Sequence, residues 1–277
     1  MRRLAHISDL HFDDADQPVV LELAEELDDF DPDLIVVTGD LTEDARPSQF
    51  ERARNFLDSL PFPRLVIPGN HDIAPVYHPV SRLFDPYGRY RQYFPYDLNG
   101  VFADDEILVL GLNTVHPLQG SDGIVSDDQV AWVESLVSHH PDCFHVLAAH
   151  HPLVRSEGEM LREAKSLISV LAGTGIELVL TGHLRASQQH RLSELSGASE
   201  SMLVARASTA TTLEHGRISY NRIAVANRKV HIDLRSFDGD AFVSEHCGSY
   251  ERLDGGWQSL AEISLRSAAS SPDSAQA

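Results

Sequence analysis

Several polar residues that can bind metal ions follow short apolar segments of the sequence. Asp9 and His11 stand two residues apart after the apolar run 4–7, and residues at this spacing on an extended chain project to the same side. Asp40 follows the run 34–37, and comparable positions after later runs are held by Asn70, His71, His150 and His183. Carboxylate, amide and imidazole groups without a thiolate suit Mn²⁺, Fe²⁺ or Zn²⁺ better than Ca²⁺ or a structural zinc.

An isolated Asp or His after a strand has a simpler explanation. A single Asp at such a position, for example Asp72, often caps a helix or stabilises a turn, and a single histidine is more often an ordinary surface or core residue. The order of the motifs favours a common site, because D-x-H, G-D, G-N-H-D, H-H-P and G-H each follow a predicted strand. Functional groups gather outside the carboxyl ends of strands in open α/β sheets. These residues are therefore predicted to meet at one sheet edge.

The elements that position these residues are predicted from hydrophobic patterning. Short apolar runs alternate with amphipathic stretches, which is typical of an α/β fold. The predicted strands are 4–7, 34–37, 65–67, 107–112, 144–149 and 178–180, and the predicted helices are 18–29, 47–60, 127–139 and 159–172. Later segments rich in Val and Ile predict consecutive antiparallel strands at 202–206, 218–226, 229–236 and 241–246, with a turn at 226–229. We expect a single domain over residues 1–265 and a disordered tail over 266–277.

The five motifs HISDLHF, TGDLTEDA, PGNHD, AAHHPL and TGHLR resemble those of the calcineurin-like metallophosphoesterases. The resemblance extends over roughly residues 3–236, and the segments GDLTEDA and ARASTATT are most similar to the bacterial branch related to cyclic-nucleotide phosphodiesterases. It implies a four-layered αββα sandwich of two mixed β-sheets flanked by helices. It also implies hydrolysis of a phosphate ester by a water that two divalent metal ions share and ionise.

The resemblance implies a metal-binding role for six residues. Asp9 and His11 would bind the first metal, and Asp40 would bridge both metals with its two carboxylate oxygens. The implied ligands of the second metal are Asn70, His150 and His183.

Other motif residues are implied to act on the substrate. His71 would protonate the leaving oxygen, with Asp72 orienting its ring. His151 would lie outside the metal ligands. Asn70, His71 and Arg185 are expected to contact the substrate.

The sequence departs from the family pattern at Arg185. The family ends its motif series with G-H-x-H, whereas this chain has GHLR at residues 182–185. A guanidinium group stays protonated and has no lone pair for a cation. Three interpretations remain open: water or a distant histidine such as His190 or His215 completes the first site, the first site is weak or empty, or Arg185 binds the substrate phosphate.

The composition limits the classes of partner. Because 22 Lys and Arg oppose 42 Asp and Glu, the net charge is −20, which disfavours binding to a nucleic-acid duplex or a membrane surface. The sequence shows no apolar window of membrane-spanning length and no signal peptide, so we expect a cytosolic protein. Cys143 and Cys247 are expected to be reduced thiols.

The predicted substrate is a small nucleotide-like or sugar-phosphate ester, either a diester or a monoester. The alternative is a degenerate member of the fold that serves as a protein-binding scaffold. The segment 73–100 is rich in tyrosine and arginine. It either forms a cap that binds the substrate or packs its tyrosines on the domain surface. The exact ester, the native metal and the oligomeric state are not predicted from the sequence.

Overall fold

The structure is a computed structural model that describes residues 1–13, 15–118, 123–152, 171, 173–184, 188–191, 202–212, 217–254 and 256–264. Within these residues the chain forms two mixed β-sheets with helices on their outer faces. Strands and helices are numbered below in chain order.

The first sheet contains seven strands. They are β1 (Arg2–Ile7), β2 (Leu34–Val37), β3 (Arg64–Val66), β10 (Ser219–Ala226), β11 (Lys229–Phe237), β12 (Phe242–Leu253) and β13 (Gly256–Ser264). Their order across the sheet is β13-β12-β11-β10-β1-β2-β3. β1, β2 and β3 are mutually parallel, whereas β1 pairs antiparallel with β10 and the later strands continue as antiparallel neighbours.

The second sheet contains six strands. They are β4 (Gly100–Ala103), β5 (Ile107–Leu112), β6 (Phe144–Ala149), β7 (Leu178–Thr181), β8 (Gln188–Arg191) and β9 (Leu203–Arg206), in the order β4-β5-β6-β7-β9-β8. β5, β6, β7 and β9 are parallel, and the edge strands β4 and β8 are antiparallel to their neighbours.

The helices of the described residues are α1 (Gln17–Phe30), α2 (Pro47–Ser59), α3 (Pro79–Phe84), α4 (Tyr90–Tyr93) and α5 (Asp127–His139), with a 3₁₀ turn at Asn70–Asp72. Local sequence explains where they begin. α2 starts at a proline, whose fixed φ and missing N–H suit the first turn. The hydroxyl of Ser126 accepts a hydrogen bond from the backbone N–H of Gln129, a cap worth about 1 kcal/mol to α5. None of these helices is long and apolar enough to cross a membrane.

The alternation of side chains along the strands divides the core into layers. Ala5 and Ile7 of β1 pack with Val19 and Leu23 of α1, whereas Leu4 points to the opposite face and packs with Val146 of the second sheet. A third cluster joins the outer face of the second sheet to α5. Helix, sheet, sheet and helix therefore form the four layers that the family resemblance predicted.

Most predicted elements are confirmed within a few residues, including the helices at 18–29, 47–60 and 127–139 and the turn at 226–229. The prediction for 202–206 was wrong in its pairing. This segment is β9, which lies parallel to β7 in the second sheet instead of joining the antiparallel run. Its short apolar sequence fits either neighbour, so the pattern could not decide the sheet. The predicted helix 159–172 falls mostly outside the described residues, and the tail 266–277 falls wholly outside them.

Candidate active site

The predicted residues follow the carboxyl ends of parallel strands in both sheets. Asp9 and Asp40 follow β1 and β2, and Asn70 follows β3. His150 and His183 follow β6 and β7 of the second sheet. Several contacts join the sheets at this edge. For example, His150 Nε2 lies 3.3 Å from Asp40 Oδ2, and the His183 N–H donates to Asp9 Oδ2 over 3.1 Å. The structure thus brings all six predicted metal ligands together.

The backbone at this edge is strained. Asp9, His11, Asp40 and His183 all have positive φ angles, between 39° and 70°. Non-glycine residues adopt this left-handed region at a cost of about 1 kcal/mol or more, and they hold it only where the surroundings enforce it. The strain turns each side chain sharply away from its strand direction, towards the cleft between the two sheets.

Asp40 lies at the centre of the group. Its Oδ1 accepts a hydrogen bond from the backbone N–H of His71 over 2.9 Å, and its Oδ2 faces His150 Nε2. The side chain is almost fully buried. Its two oxygens are therefore directed to different neighbours, which is the arrangement that a bridging carboxylate needs.

On one side of Asp40, nitrogen and oxygen atoms converge from both sheets. His150 Nε2 lies 3.0 Å from Asn70 Oδ1 and 3.2 Å from His183 Nδ1. The other ring nitrogen, His150 Nδ1, donates to the carbonyl oxygen of Thr38 over 2.7 Å, which leaves the Nε2 lone pair pointing into the site. His151 Nδ1 bonds to the Thr114 hydroxyl, and the His151 ring is tilted by 52° against the His183 ring, with the centroids 4.8 Å apart. A ligating histidine in proteins is usually held in this way through its second nitrogen.

On the other side of Asp40 lie Asp9 and His11. One ligand atom from each of these three residues falls within 4.8 Å of the others, and all three residues are buried. Asp9 Oδ2 accepts from Ser8 Oγ and from the His183 N–H, whereas Asp9 Oδ1 has no hydrogen-bond partner among the described residues. Its nearest charged neighbour is His11 Nε2 at 3.8 Å, outside hydrogen-bond distance. A buried carboxylate oxygen without a hydrogen bond is costly unless a positive charge balances it, so this oxygen is the atom best suited to contact a metal ion.

The ionisable groups of the site shift one another's pKa values. Burial raises the pKa of Asp40, but the charge and the hydrogen bond of His150 outweigh it, so the pKa lies well below its ordinary value. Burial would lower the pKa of His150, yet Asp40 raises it to about 9. Burial and the neighbouring His150 lower the pKa of His183 to about 4. Cations bind only the deprotonated imidazole, so metal binding here should displace a proton and should tighten as the pH rises.

Glycines bring the motif loops into close contact. A Cβ added to Gly69 would lie 2.1 Å from Asp40 Oδ1 and 2.3 Å from the Asp40 backbone nitrogen. A Cβ at Gly182 would lie 1.9 Å from Ser8 Oγ and 2.6 Å from Asp9 Oδ2. These contacts explain why a glycine directly precedes Asn70 and His183 in the sequence.

The Gly69 contact gives a direct test of the site geometry. Gly69→Ala should displace the Asp40 carboxylate and lower metal affinity by more than about tenfold, because the clash includes backbone atoms that cannot rotate away. Gly173→Ala is the matched control, since a Cβ there meets no described atom within 4 Å. Isothermal titration of metal into both variants measures the difference. Equal affinities would contradict the close approach of the two loops.

The surroundings of His71 differ from the prediction. Asp72 was expected to orient the His71 ring, but its carboxylate accepts hydrogen bonds from the backbone N–H groups of Leu41, Thr42 and Gly69 instead. His71 Nδ1 donates to the carbonyl oxygen of Glu43 over 2.5 Å. The buried Asp72 carboxylate bonds to Leu41, Thr42 and Gly69 and therefore stabilises the loop that follows Asp40.

Glu43 is the residue that the sequence reasoning missed. Its carboxylate oxygen Oε2 lies 2.8 Å from His11 Nδ1, and Glu43 forms a further candidate metal-binding group with His11 and His71. The available signal was its position in GDLTE, three residues after Asp40. A carboxylate in a motif loop is also common on surfaces, so the sequence did not distinguish it.

The structure does not test the roles expected of three other residues, and it bears on the cap expected at 73–100. Arg185 and His215 lie outside the described residues, and the side chain of His190 is not described either. In the segment 73–100, Arg82 donates to the carbonyl oxygens of Ala74 and Pro117, and Arg89 donates to that of Ala45. These arginines hold the segment against backbone at Ala45 and Pro117, which favours the packing interpretation of the segment over a phosphate-binding cap.

The chain is similar to known phosphoesterases in sequence and to a solved structure in fold. The family model described as calcineurin-like phosphoesterase matches residues 2–184. A probable glycerophosphodiester phosphodiesterase of Arcobacter nitrofigilis is 28% identical over 77% of this chain and 70% of its own length. A probable cyclic nucleotide phosphodiesterase of a Synechococcus strain is 28% identical over 55% of this chain, and the match spans only 57% of that relative. The solved structure of PhoD is similar with a TM-score of 0.74 over 96% of this chain and 72% of that one, and its 14% identity makes this a likeness of fold alone.

Proposed function

Because the chain belongs to the calcineurin-like phosphoesterase family, we propose that it hydrolyses a small phosphate diester with a centre of two divalent metal ions. The position of Asp40 carries this proposal. Its carboxylate lies between two groups of buried donor atoms, Asp9 with His11 on one side and Asn70, His150 and His183 on the other. A single carboxylate placed between two such groups is suited to bridge a pair of cations.

The donor set suits Mn²⁺, Fe²⁺ or Zn²⁺. Imidazole, carboxylate and amide groups are available, and the described residues contribute no thiolate to the groups. Asp9 Oδ1 is the buried oxygen that a cation in the first site would neutralise. With Arg185 in the position of a fourth ligand, the first site would hold its metal with Asp9, His11 and Asp40 and so more weakly than the second.

The bound metal ions would neutralise phosphoryl oxygens and supply an activated water for attack at phosphorus. The chain itself provides the remaining functions. His71 holds one proton on Nδ1 against the Glu43 carbonyl, so Nε2 is the atom from which it would protonate the leaving oxygen. The side chain is about 29% exposed and lies at the edge of the metal site, where a substrate can reach it. Asn70 would contact both metal and substrate.

Both relatives compared above carry the name phosphodiesterase, and this supports a diester as the substrate class. The net charge of −20 supports a small substrate rather than a nucleic-acid duplex. The scaffold alternative is not favoured, because a protein-binding scaffold has no need for six polar residues that converge on one site, four of them buried: Asp9, His11, Asp40 and His150. Burying two carboxylates costs free energy of unfolding, and such a cost is typical of functional sites.

The proposal is tested with metal-free protein that is reloaded with one metal at a time. Hydrolysis of bis(4-nitrophenyl) phosphate, cyclic AMP and a glycerophosphodiester should appear with Mn²⁺, Fe²⁺ or Zn²⁺ and disappear with chelator. We expect 4-nitrophenyl phosphate, a matched monoester, to be hydrolysed more slowly than the matched diester. Absence of any metal-dependent hydrolysis across this panel would contradict the proposal and favour the scaffold.

A further inference from the structure

Glu43 contacts two functional imidazoles at once. Its Oε2 lies 2.8 Å from His11 Nδ1, and its backbone carbonyl oxygen accepts the hydrogen bond from His71 Nδ1. The two rings pack edge to face with their centroids 5.2 Å apart. Glu43 therefore contacts both rings at their Nδ1 atoms.

The two nitrogens of His11 have different neighbours. Nε2 is 3.8 Å from Asp9 Oδ1, the oxygen proposed to face the first metal. Nδ1 faces the Glu43 carboxylate instead. If Nε2 is the metal ligand, the Glu43 carboxylate cannot bind the same cation, because it contacts the opposite edge of the ring. Its negative charge lies 2.8 Å from Nδ1 and favours the proton on that nitrogen, which leaves Nε2 as the electron donor and restricts the orientation of the ring.

The loop that carries Glu43 is held in place. The Asp72 carboxylate accepts from the backbone N–H groups of Leu41 and Thr42, and the Thr42 hydroxyl donates to the His71 carbonyl oxygen over 2.9 Å. The His11 side chain is fully buried, whereas the Glu43 side chain is 31% exposed. A rigid loop thus brings a negative charge from the surface onto a buried ring.

We propose that Glu43 is a positioning residue for the first metal site, where it orients His11 and stabilises it as a ligand. This inference rests on the proposed function. It has a specific consequence for this chain: with arginine at position 185, the first site depends on few protein ligands, so its affinity depends strongly on how well His11 is held. The carbonyl that holds His71 is backbone and remains in any Glu43 variant.

The test compares metal affinities of the wild type with those of Glu43→Ala, Glu43→Gln and Asp44→Asn. The affinities are measured by titration calorimetry with Mn²⁺ or Zn²⁺. Glu43→Ala should weaken the lower-affinity site by about 10- to 100-fold and leave the other site unchanged. Glu43→Gln should lie between alanine and wild type, because its amide keeps a polar oxygen beside Nδ1 but lacks the negative charge. Asp44→Asn removes a neighbouring charge that contacts Arg46 and Tyr77 instead of the histidines, so its affinities should equal those of the wild type.

Activity provides the second readout. At saturating metal, Glu43→Ala should recover most of its turnover and keep the dependence on leaving group, because His71 is still held by the backbone carbonyl. Similar thermal unfolding of the metal-free proteins will show that the variants are folded. Equal metal affinities in all variants would overturn this inference alone. An equal loss of metal affinity in Glu43→Ala and Glu43→Gln would overturn it in favour of direct metal binding by the Glu43 carboxylate. Failure of the wild type to bind metal would overturn the proposed function as well.

Discussion

Asp40→Ala is expected to abolish hydrolysis and to reduce bound metal at both sites. The carboxylate lies between the two groups of donor atoms and is almost fully buried, so no neighbouring side chain can replace its two oxygens. Loss of a residue that supports a ligand typically costs 10- to 100-fold in affinity or activity, so loss of a shared ligand should cost more than about 10²-fold. Elemental analysis and steady-state kinetics on the same preparation measure both effects.

Asp40→Asn tests whether the charge of the Asp40 side chain, apart from its size, is needed for metal binding. The amide keeps the size of the side chain and can still accept the hydrogen bond from the His71 N–H, so the loop should be preserved. It lacks the second anionic oxygen, and we expect a similar loss of metal. Asp58→Ala, which removes an exposed carboxylate on α2, is the control for purification and folding. Wild-type activity or wild-type metal content in Asp40→Ala would contradict a centre of two metals.

His71→Ala is expected to lower turnover by roughly 10²- to 10⁴-fold while metal content stays near the wild-type value. His71 contacts Asp40 through its backbone N–H, whereas its ring Nδ1 donates to the Glu43 carbonyl oxygen. The remaining ring nitrogen, Nε2, is therefore available for proton transfer. Loss of an acid matters most when the leaving group is a poor one. The defect should therefore be largest for alkyl esters and smallest for nitrophenyl esters.

His139→Ala is the matched control for this variant. His139 is an exposed histidine at the end of α5, where its Nδ1 bonds to the carbonyl oxygen of Ser135. Its removal should leave both activity and metal content unchanged. An equal defect of His71→Ala for activated and unactivated esters, or a parallel loss of metal, would count against general acid catalysis.

The positions of most strands along the chain, and of the motif residues at their ends, could be predicted from the sequence. Apolar runs of four to six residues such as 34–37 and 144–149 form buried strands because both faces of each sheet are covered. Parallel strands end at the same edge, so Asp40 and His150 were expected to approach each other. The spacing of Asp9 and His11 likewise predicted that both belong to one site.

Pairing between distant segments could not be predicted in the same way. The segment 202–206 has a sequence that fits either sheet, and only the packing of Leu203 and Ala205 between the sheets places it beside β7. The roles of Asp72 and Glu43 depended on hydrogen bonds about 30 residues apart in the chain, with Thr42 and His71 respectively. Such contacts depend on side-chain direction, which hydrophobic periodicity does not report.

The sequence by itself determined which residues are candidates for the chemistry and at which strand ends they lie, because strand periodicity and the chemical nature of each side chain are local properties. The tertiary structure decided which atoms of those residues face each other. Positive φ angles at Asp9, His11, Asp40 and His183 turn the side chains inward, and these angles persist only because the packed sheets offset their strain. The same packing directed His11 Nδ1 to Glu43 and His150 Nδ1 to Thr38, and so decided which ring nitrogens are left for metal ions.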